Sequence, residues 1–196
     1  GTTYGESFKR SLDEKDWTNL SYYSVDEDYL KNIDVSLVSG RFFDFSAGEG
    51  NKKFIVLNEK AIGSFHFESA TDAIGEEIIL QRDSSMLQII GVVKDYNHQL
   101  LMQEMDAMAL IYNPEEFHLL QVQYNGTYAK AGESVEEAWS TVNPMLKVDY
   151  KDFYEEIHKI YDILFGDLVS VLSVVSFLAI LISCLGLLGM ATYTTE

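Results

Sequence analysis

The C-terminal part of the chain carries one long apolar run. Residues 168–195 contain no charged residue, and Leu, Val, Ile, Ala and small residues dominate these 28 positions. About 20 apolar residues are enough for a helix to cross the hydrocarbon core of a bilayer. A buried helix of a soluble protein is usually shorter and has a polar edge. The pattern therefore predicts a transmembrane helix over residues 168–195.

A second hydrophobic pattern leads into this run. Apolar residues recur at spacings of three and four, which places them on one face of a helix; they are Phe153, Ile157, Ile160, Tyr161, Leu164 and Leu168. Asp152 and Glu155 suit a helix start, and Gly166 alone costs a helix only about 1 kcal/mol. The sequence therefore predicts one continuous helix from Asp152 to Thr195, with a stalk over residues 152–167.

Short apolar and alternating runs in the first 151 residues predict strands separated by a few helices. The predicted strands are 20–24, 35–38, 54–57, 77–81, 86–94, 108–112, 119–124 and 146–150, and the predicted helices are 25–33, 58–65 and 134–143. Residues 1–19 show no strong periodicity, and residues 46–52 resemble a surface loop. The expected fold class is α+β, a mixed-sheet domain over residues 1–151 with βαβ elements.

Two local features refine this prediction. The continuous apolar run 54–57 is typical of a strand that is covered on both faces. Gly91 interrupts the apolar run 86–94, and a glycine inside a strand indicates a bulge or a close backbone approach. Strands 77–81 and 86–94 are separated by turn residues, so we expect them to form a β-hairpin.

Composition and charge exclude several classes of protein. Hydrophobic residues make up 47% of the 196 residues, which is enough for a packed core. Lys plus Arg is 14 and Asp plus Glu is 31, so the formal net charge is −17. This excess of negative charge argues against nucleic-acid binding and against a basic patch that binds anionic lipid. The single cysteine, Cys184, excludes an intramolecular disulfide.

The sequence carries no recognisable catalytic or nucleotide-binding motif. The four histidines lack zinc-ligand spacing, and GxSxG, GxxxxGK[ST] and GxGxxG are absent. Asp95 and His98 follow a predicted strand, and this pair taken alone would suggest acid–base chemistry. No candidate nucleophile accompanies the pair, which argues against a catalytic role. A turn network is the simpler interpretation. We therefore expect a protein that is not an enzyme and binds no cofactor and no metal.

Small residues mark one face of the predicted membrane helix. They recur every three or four positions and include Ser176, Ala179, Ser183, Gly186 and Gly189. Small residues allow a second membrane helix to approach closely. This spacing favours a packed helix over a lone anchor. The absence of charged residues from the span argues against an ion or proton relay.

Several blocks resemble the MacB-like and FtsX-like family of ABC transporter permeases. The blocks are 28–30 (DYL), 37–43 (LVSGRFF), 55–61 (IVLNEKA), 73–75 (AIG), 89–98 (IIGVVKDYNH) and 185–196, which resembles the end of the family's second membrane helix. Each block is weak alone, but their order is fairly specific. The resemblance covers about residues 24–196.

The resemblance implies a role and a location. Such permeases dimerise in the cytoplasmic (inner) membrane and couple to a cytoplasmic ATPase, whose motion reaches the extracytoplasmic domain through the stalk helices. The chain is then expected to be a piece of a permease, with residues 1–167 outside the cytoplasm and residues 168–195 in the lipid. Export, lipoprotein extraction and signalling all remain open, and the substrate is not identified.

Two other functions stay open at this point. The chain could be the extracytoplasmic sensor domain of a membrane receptor, or, with less support, a membrane-anchored hydrolase. A partner or substrate surface is expected at the turn Arg41, Phe42 and Phe43 and in the loop after residue 94, which includes Asp95, Tyr96 and His98. Core packing is the alternative interpretation for Phe42 and Phe43.

Overall fold

Seven strands and three short helices form the first of two units in the chain. The computed structural model describes residues 4–96 and 106–193, and the chain divides into residues 1–123 and residues 124–196. The strands are β1 (Tyr4–Lys9), β2 (Thr18–Ser24), β3 (Leu37–Gly40), β4 (Phe54–Asn58), β5 (Glu77–Leu80), β6 (Met86–Val93) and β7 (Met108–Ile111). The helices of this unit are α1 (Tyr29–Asn32), α2 (Glu59–Ser64) and α3 (Ala70–Ala73).

The strands form one mixed sheet that closes on itself. Their order is β3-β6-β4-β7-β2-β1-β5, and β5 also pairs with β6. Six strands therefore form a ring, and β3 pairs with residues 91–93 of β6, beyond the residues 86–88 that pair with β5. The pairs β2–β7 and β4–β6 are parallel, whereas the other pairs are antiparallel. The predicted α+β class, the mixed sheet and the hairpin of β5 and β6 are confirmed.

Two hydrophobic clusters lie on opposite faces of the central strands. The larger cluster takes buried side chains from all six ring strands and from α2 and α3, and it includes Phe8, Leu20, Ile55, Leu57, Phe65, Ile78, Ile89 and Ala109. The smaller cluster includes Val25, Leu30, Phe43, Val56, Ile90, Val93, Met108 and Leu110. Successive residues of β4 thus enter different clusters, which confirms that this strand is covered on both faces.

Asn58 connects three elements of the sheet unit. It is the last residue of β4 and is 1% exposed. Its Oδ1 accepts hydrogen bonds from the backbone N–H of Ala61 (3.1 Å) and of Met108 (2.8 Å). Its Nδ2 donates to the carbonyl oxygen of Asp106 at 2.9 Å. One side chain therefore caps α2 and also holds the start of β7 against it.

Gly91 has the role that its position in a strand predicts. The register between β4 and β6 shifts there, since Ile55 pairs with Ile89 and Val56 pairs with Gly91, which leaves Ile90 as the extra residue of a bulge. A Cβ at Gly91 would also meet the carbonyl oxygen of Arg41. Both the bulge and the close backbone approach are present, and any side chain at this position would push β3 away from β6.

The N-terminal half differs from the prediction in three places. Residues 4–9 form β1, which pairs with β2 and β5, although they lack a strong apolar pattern. The helix predicted over residues 25–33 is only α1, because the Ser24 hydroxyl bonds to the backbone of Asn113 (2.9 and 3.0 Å) and does not cap a helix. Residues 46–52, which were expected to form a loop, belong to two 3₁₀ turns within Phe45–Lys53 that are separated by a kink at Gly48.

The second unit contains two helices, α4 (Tyr128–Val142) and α5 (Phe153–Tyr193). Helix α4 ends before Pro144, as expected, but starts earlier than predicted, because Thr127 caps it by accepting from the backbone N–H of Lys130 (3.5 Å). The Ser134 hydroxyl instead bonds to the Lys130 carbonyl within the helix. The predicted helix start at residue 134 is therefore wrong.

The predictions of strands at residues 119–124 and 146–150 are wrong. Both segments have the alternation and residue types of strands, but neither is assigned a strand pairing in the described structure. Leu120 is 82% exposed. Residues 146–150 instead lie along α4, where the carbonyl oxygens of Leu146 and Tyr150 accept side-chain hydrogen bonds from that helix. A strand needs a neighbouring strand, and the local pattern does not supply one.

The continuous C-terminal helix is confirmed. Helix α5 has 41 residues and begins directly after Asp152, whose Oδ1 accepts from the backbone N–H of Tyr154 (2.7 Å) and Glu155 (3.2 Å). Its length is roughly 62 Å at ~1.5 Å per residue. The 26 residues Phe165–Met190 are long and apolar enough to cross a membrane, and none of the most apolar window is buried.

Replacing Asn58 should destabilise the sheet unit. Asn58→Ala leaves the buried N–H groups of Ala61 and Met108 without their acceptor, so we expect a loss of about 3 kcal/mol in the free energy of unfolding. Urea unfolding of the purified chain in detergent, followed by near-UV circular dichroism, measures this loss.

Asn32→Ala is the control, because Asn32 makes one exposed hydrogen bond to the carbonyl oxygen of Gln121. This variant should lose less than about 0.5 kcal/mol. Equal losses in both variants would contradict this role of Asn58.

Candidate partner surface and membrane helix

Arg41 starts the turn that follows β3. Its backbone N–H donates to the carbonyl oxygen of Ile90 at 2.9 Å, which fixes the turn against β6. Its guanidinium donates to the carbonyl oxygen of Phe42 (3.2 Å) and lies 4.9 Å from the centroid of the Phe54 ring. Arg41 is exposed. The structure thus holds the guanidinium of Arg41 in place at the surface.

Phe42 and Phe43 follow Arg41 but differ in burial. Phe43 is 6% exposed and belongs to the smaller core cluster, where its ring lies 6.0 Å from that of Tyr112. Phe42 is half-buried and packs on Phe43 with ring centroids 4.7 Å apart. Phe43 is therefore a core residue, which matches the alternative interpretation. Partner contact by Arg41 and Phe42 stays a prediction.

Asp95 and Tyr96 lie at the end of β6, and the structure holds both in place. Asp95 Oδ1 accepts from the backbone N–H of Lys60, and the Asp95 N–H donates to Glu59 Oε2, both at 3.1 Å. The hydroxyls of Tyr96 and Tyr29 are 3.2 Å apart, and burial raises the pKa of both. Tyr96 packs against the same cluster as Phe42 and Phe43. His98 lies outside the described residues.

A cleft lies beside this turn. Its volume is about 370 Å³, and Gly40, Arg41, Ile74, Gln88 and Ile90 are among the residues that line it. Apart from Gln88, these residues come from the three sequence blocks 37–43, 73–75 and 89–98, which are distant in sequence. The lining combines one cation, Arg41, and the amide of Gln88 with apolar and backbone groups. Sequence reasoning singled out Arg41 here but missed Ile74 and Gln88.

A second cleft of about 300 Å³ was not expected from the sequence. It is lined by Arg10, His66, Phe67, Glu68, Asp72 and Glu76. The Arg10 guanidinium lies 4.1 Å from the Phe67 ring centroid and donates to the carbonyl oxygen of Phe65 at 3.2 Å. Its positive charge is thus already engaged by the protein. Within residues 4–96 and 106–193, no group of three or more His, Cys, Asp or Glu side chains is placed to hold a metal ion.

The small residues of α5 lie on an open helix. Ser176 Oγ donates to the carbonyl oxygen of Leu172 (2.7 Å) and Ser183 Oγ to that of Ala179 (2.9 Å). These hydroxyls are therefore satisfied inside the helix and do not require water. Ala179, Gly186 and Gly189 are exposed, as are the two serines. Packing of this face against another membrane helix stays a prediction.

The start of α5 is anchored by a carboxylate. Asp152 Oδ2 accepts a hydrogen bond of 2.7 Å from the Tyr124 hydroxyl, while Oδ1 caps the helix. These bonds stabilise the ionised form, so the Tyr124 hydroxyl and then the backbone N–H groups lower the pKa of Asp152. Glu156 pairs with Lys159 at 3.1 Å in the same first turns. The polar end of α5 thus precedes its apolar part.

The sequence matches a family model for the MacB-like periplasmic core domain over residues 2–143, which is more than half of the chain. The chain belongs to this family. The match includes the whole ring of strands, the turn at Arg41 and helix α4 up to its last residues. The earlier resemblance is thereby confirmed for the domain that precedes α5. A comparison with curated proteins found no match.

The fold is similar to that of a solved periplasmic domain. The periplasmic region of MacB from Actinobacillus actinomycetemcomitans matches with a TM-score of 0.51 and 13% identity, over 72% of this chain and 64% of that one. The extracellular domain of YknZ, a noncanonic ABC-type transporter from Gram-positive bacteria, matches with a TM-score of 0.43 and 11% identity, over 56% and 50%. The chain thus spans about half to two-thirds of the solved chains that it matches. At such identities the likeness to MacB shows the fold alone.

Family and helix together describe the kind of protein. A MacB-like periplasmic core domain precedes a helix with 26 residues that are apolar enough to cross a membrane. The chain is a membrane protein with an extracytoplasmic domain, and its domain is that of ABC transporter permeases.

The cap of α5 should show a defined pH dependence. The folded-state pKa of Asp152 is lowered, so its contribution to stability is present above the unfolded pKa of about 3.9 and is lost as the pH falls through the lower folded value. We expect the difference in unfolding free energy between the native protein and Asp152→Asn to be constant above pH ~5 and to shrink below pH ~4. Urea unfolding in detergent between pH 2.5 and 7 measures it. A difference that grows towards low pH would contradict the lowered pKa.

Proposed function

We propose that the chain is the permease part of an ABC transporter and transmits ATP-driven motion from a cytoplasmic ATPase to the extracytoplasmic domain. It performs no chemical reaction itself. The observation that supports this proposal is the unbroken helix α5. It begins at Phe153, ten residues after the end of the match to the MacB-like periplasmic core domain, and continues without a turn into an apolar span. A continuous helix delivers a displacement at one end to the other end.

We infer that three consecutive segments of the chain have different locations. Residues 1–151 form the extracytoplasmic core, residues 152–167 the stalk, and residues 168–195 the span in the cytoplasmic membrane. The apolar segment of the structure begins at Phe165, which is close to this boundary. Residues 1–167 then lie on the extracytoplasmic side, and the ATPase contacts the permease from the cytoplasm.

We infer the partners of the chain from its exposed surfaces. The face of α5 that carries Ser176, Ala179 and Ser183 is open for a second membrane helix, and we propose that it packs within a permease dimer. The turn at Arg41 and Phe42, with the cleft beside it, is the candidate surface for a substrate or an extracytoplasmic partner. Export, lipoprotein extraction and signalling remain the candidate outcomes.

Affinity purification of the native full-length protein tests the proposed coupling. The protein is captured from detergent-solubilised membranes, and ATP hydrolysis is measured in the captured material. We expect an ABC ATPase to co-purify, or ATPase activity to reside in the same polypeptide. Capture of a signalling kinase without any ABC ATPase would contradict the proposal and favour the extracytoplasmic sensor of a membrane receptor.

A matched variant makes this test specific to the span. Ser183→Leu fills the small-residue face with a branched side chain, whereas Ile182→Leu changes an exposed neighbour of similar size. We expect Ser183→Leu to lower the yield of the captured complex several-fold and Ile182→Leu to leave it unchanged. Equal yields from both variants would remove this face from the proposed interface.

A further inference from the structure

One face of α4 binds the segment that leads into the long helix. Tyr128, Gly132, Glu136 and Trp139 follow each other at spacings of four, four and three residues, so they share one face. The Tyr128 hydroxyl donates to the carbonyl oxygen of Tyr150 at 3.2 Å, and the two rings are 5.8 Å apart. The segment therefore contacts α4 along its length and not at a single point.

Tyr150 is the central contact of this face. Gly132 is the buried residue of α4, and a Cβ at this position would lie 2.7 Å from two carbon atoms of the Tyr150 ring. The Tyr150 hydroxyl donates to Glu136 Oε1 at 3.3 Å. A glycine that admits an aromatic ring this closely leaves no room for another side chain. The fit of the ring on α4 thus depends on Gly132.

The two ends of the segment are held as well. Trp139 Nε1 donates to the carbonyl oxygen of Leu146 at 2.9 Å. Asp152, which caps α5, accepts from the Tyr124 hydroxyl at 2.7 Å. Residues 146, 150 and 152 therefore meet residues 139, 132 and 124 in turn, so the segment runs antiparallel to α4.

We propose that α4, residues 144–152 and the first turns of α5 move as one rigid body, with Tyr150 on Gly132 as its positioning contact. The inference rests on the proposed function, because it identifies the part of the extracytoplasmic domain that receives the motion of α5. Tyr124 begins this body at the point where the chain leaves the sheet unit. Displacement of α5 then carries α4 with it and reaches residue 124 through both the peptide chain and the bond to Asp152.

Distance measurement by pulsed electron spin resonance tests the rigid body in the full chain. Spin labels are attached at Glu137→Cys on α4 and Asp162→Cys on α5, after Cys184→Ser removes the native thiol. We expect a single narrow intrachain distance distribution, measured after dilution with unlabelled protein, that does not change when ATP is added to the captured complex. A broad distribution in the otherwise native protein would overturn the proposal.

Two variants and one control make the test specific to the contact. Gly132→Leu displaces the Tyr150 ring and Tyr150→Ala removes it, so each should at least double the width of the distribution. Gly63→Leu is the control, because a Cβ at Gly63 of α2 meets nothing within 4 Å; it should leave the width unchanged. Tyr150→Phe keeps the ring and should restore the narrow distribution. Unchanged widths in Gly132→Leu and Tyr150→Ala would overturn the proposal.

A third label separates this inference from the proposed function. Asp13→Cys in the sheet unit replaces the label on α4 and reports ATP-driven displacement relative to Asp162→Cys. A narrow distance between α4 and α5 together with no ATP effect at position 13 supports the rigid body and counts against mechanical transmission. An ATP effect at position 13 that persists in Gly132→Leu would overturn the role of the contact while leaving transmission intact.

Discussion

The apolar run of α5 is the constraint that determines how the chain lies relative to the membrane. Residues Phe165–Met190 form a helix that no other part of the described chain covers. Leaving so much apolar surface in water is unfavourable, at roughly 25 cal/mol per Å². A helix satisfies its own backbone hydrogen bonds, so it can lie in lipid without a protein partner. The polar first turns of α5, around Asp152 and Glu156, precede this apolar segment.

The sheet unit is closed by its own strand pairing. Ring closure pairs both edges of six strands, which removes the exposed edges that promote unwanted strand addition. Asn58 joins β4, α2 and β7 inside this body, and Gly91 allows the turn at Arg41 to lie against β6. A body held this way responds to an applied displacement as a unit, which suits a domain that receives motion from a helix.

The sequence predicted the elements whose signal is local. The apolar runs of β4, β6 and β7 and the long stripe of α5 are visible in the residue order alone, because burial on both faces or in lipid leaves no polar positions. Strand β1 was missed because its residues, YGESFK, owe their strand form to pairing with β2 and β5. The strand prediction for residues 119–124 was wrong for the opposite reason. These residues have strand propensity, but the described chain provides no strand beside them.

The residues of the candidate surfaces also differ in whether the sequence alone could indicate their role. Arg41 and Asp95 could be singled out because they stand in recognisable blocks, whereas the burial of Phe43 depends on Tyr112, which is distant in sequence. The contact between Gly132 and Tyr150 could not be predicted, since the expected helix began at residue 134 and the expected strand ran through Tyr150. Only the packed structure shows that a glycine of α4 admits this ring.

Site-directed labelling tests the central claim, that the sheet unit lies outside the cytoplasm and α5 crosses the membrane. A cysteine is placed at exposed Asp13 in a Cys184→Ser background, and cells with an intact cytoplasmic membrane are treated with a membrane-impermeant maleimide. We predict that position 13 is labelled without permeabilisation, whereas Cys184 of the native protein, within the span, is not. Labelling of position 13 only after permeabilisation would contradict an extracytoplasmic sheet unit.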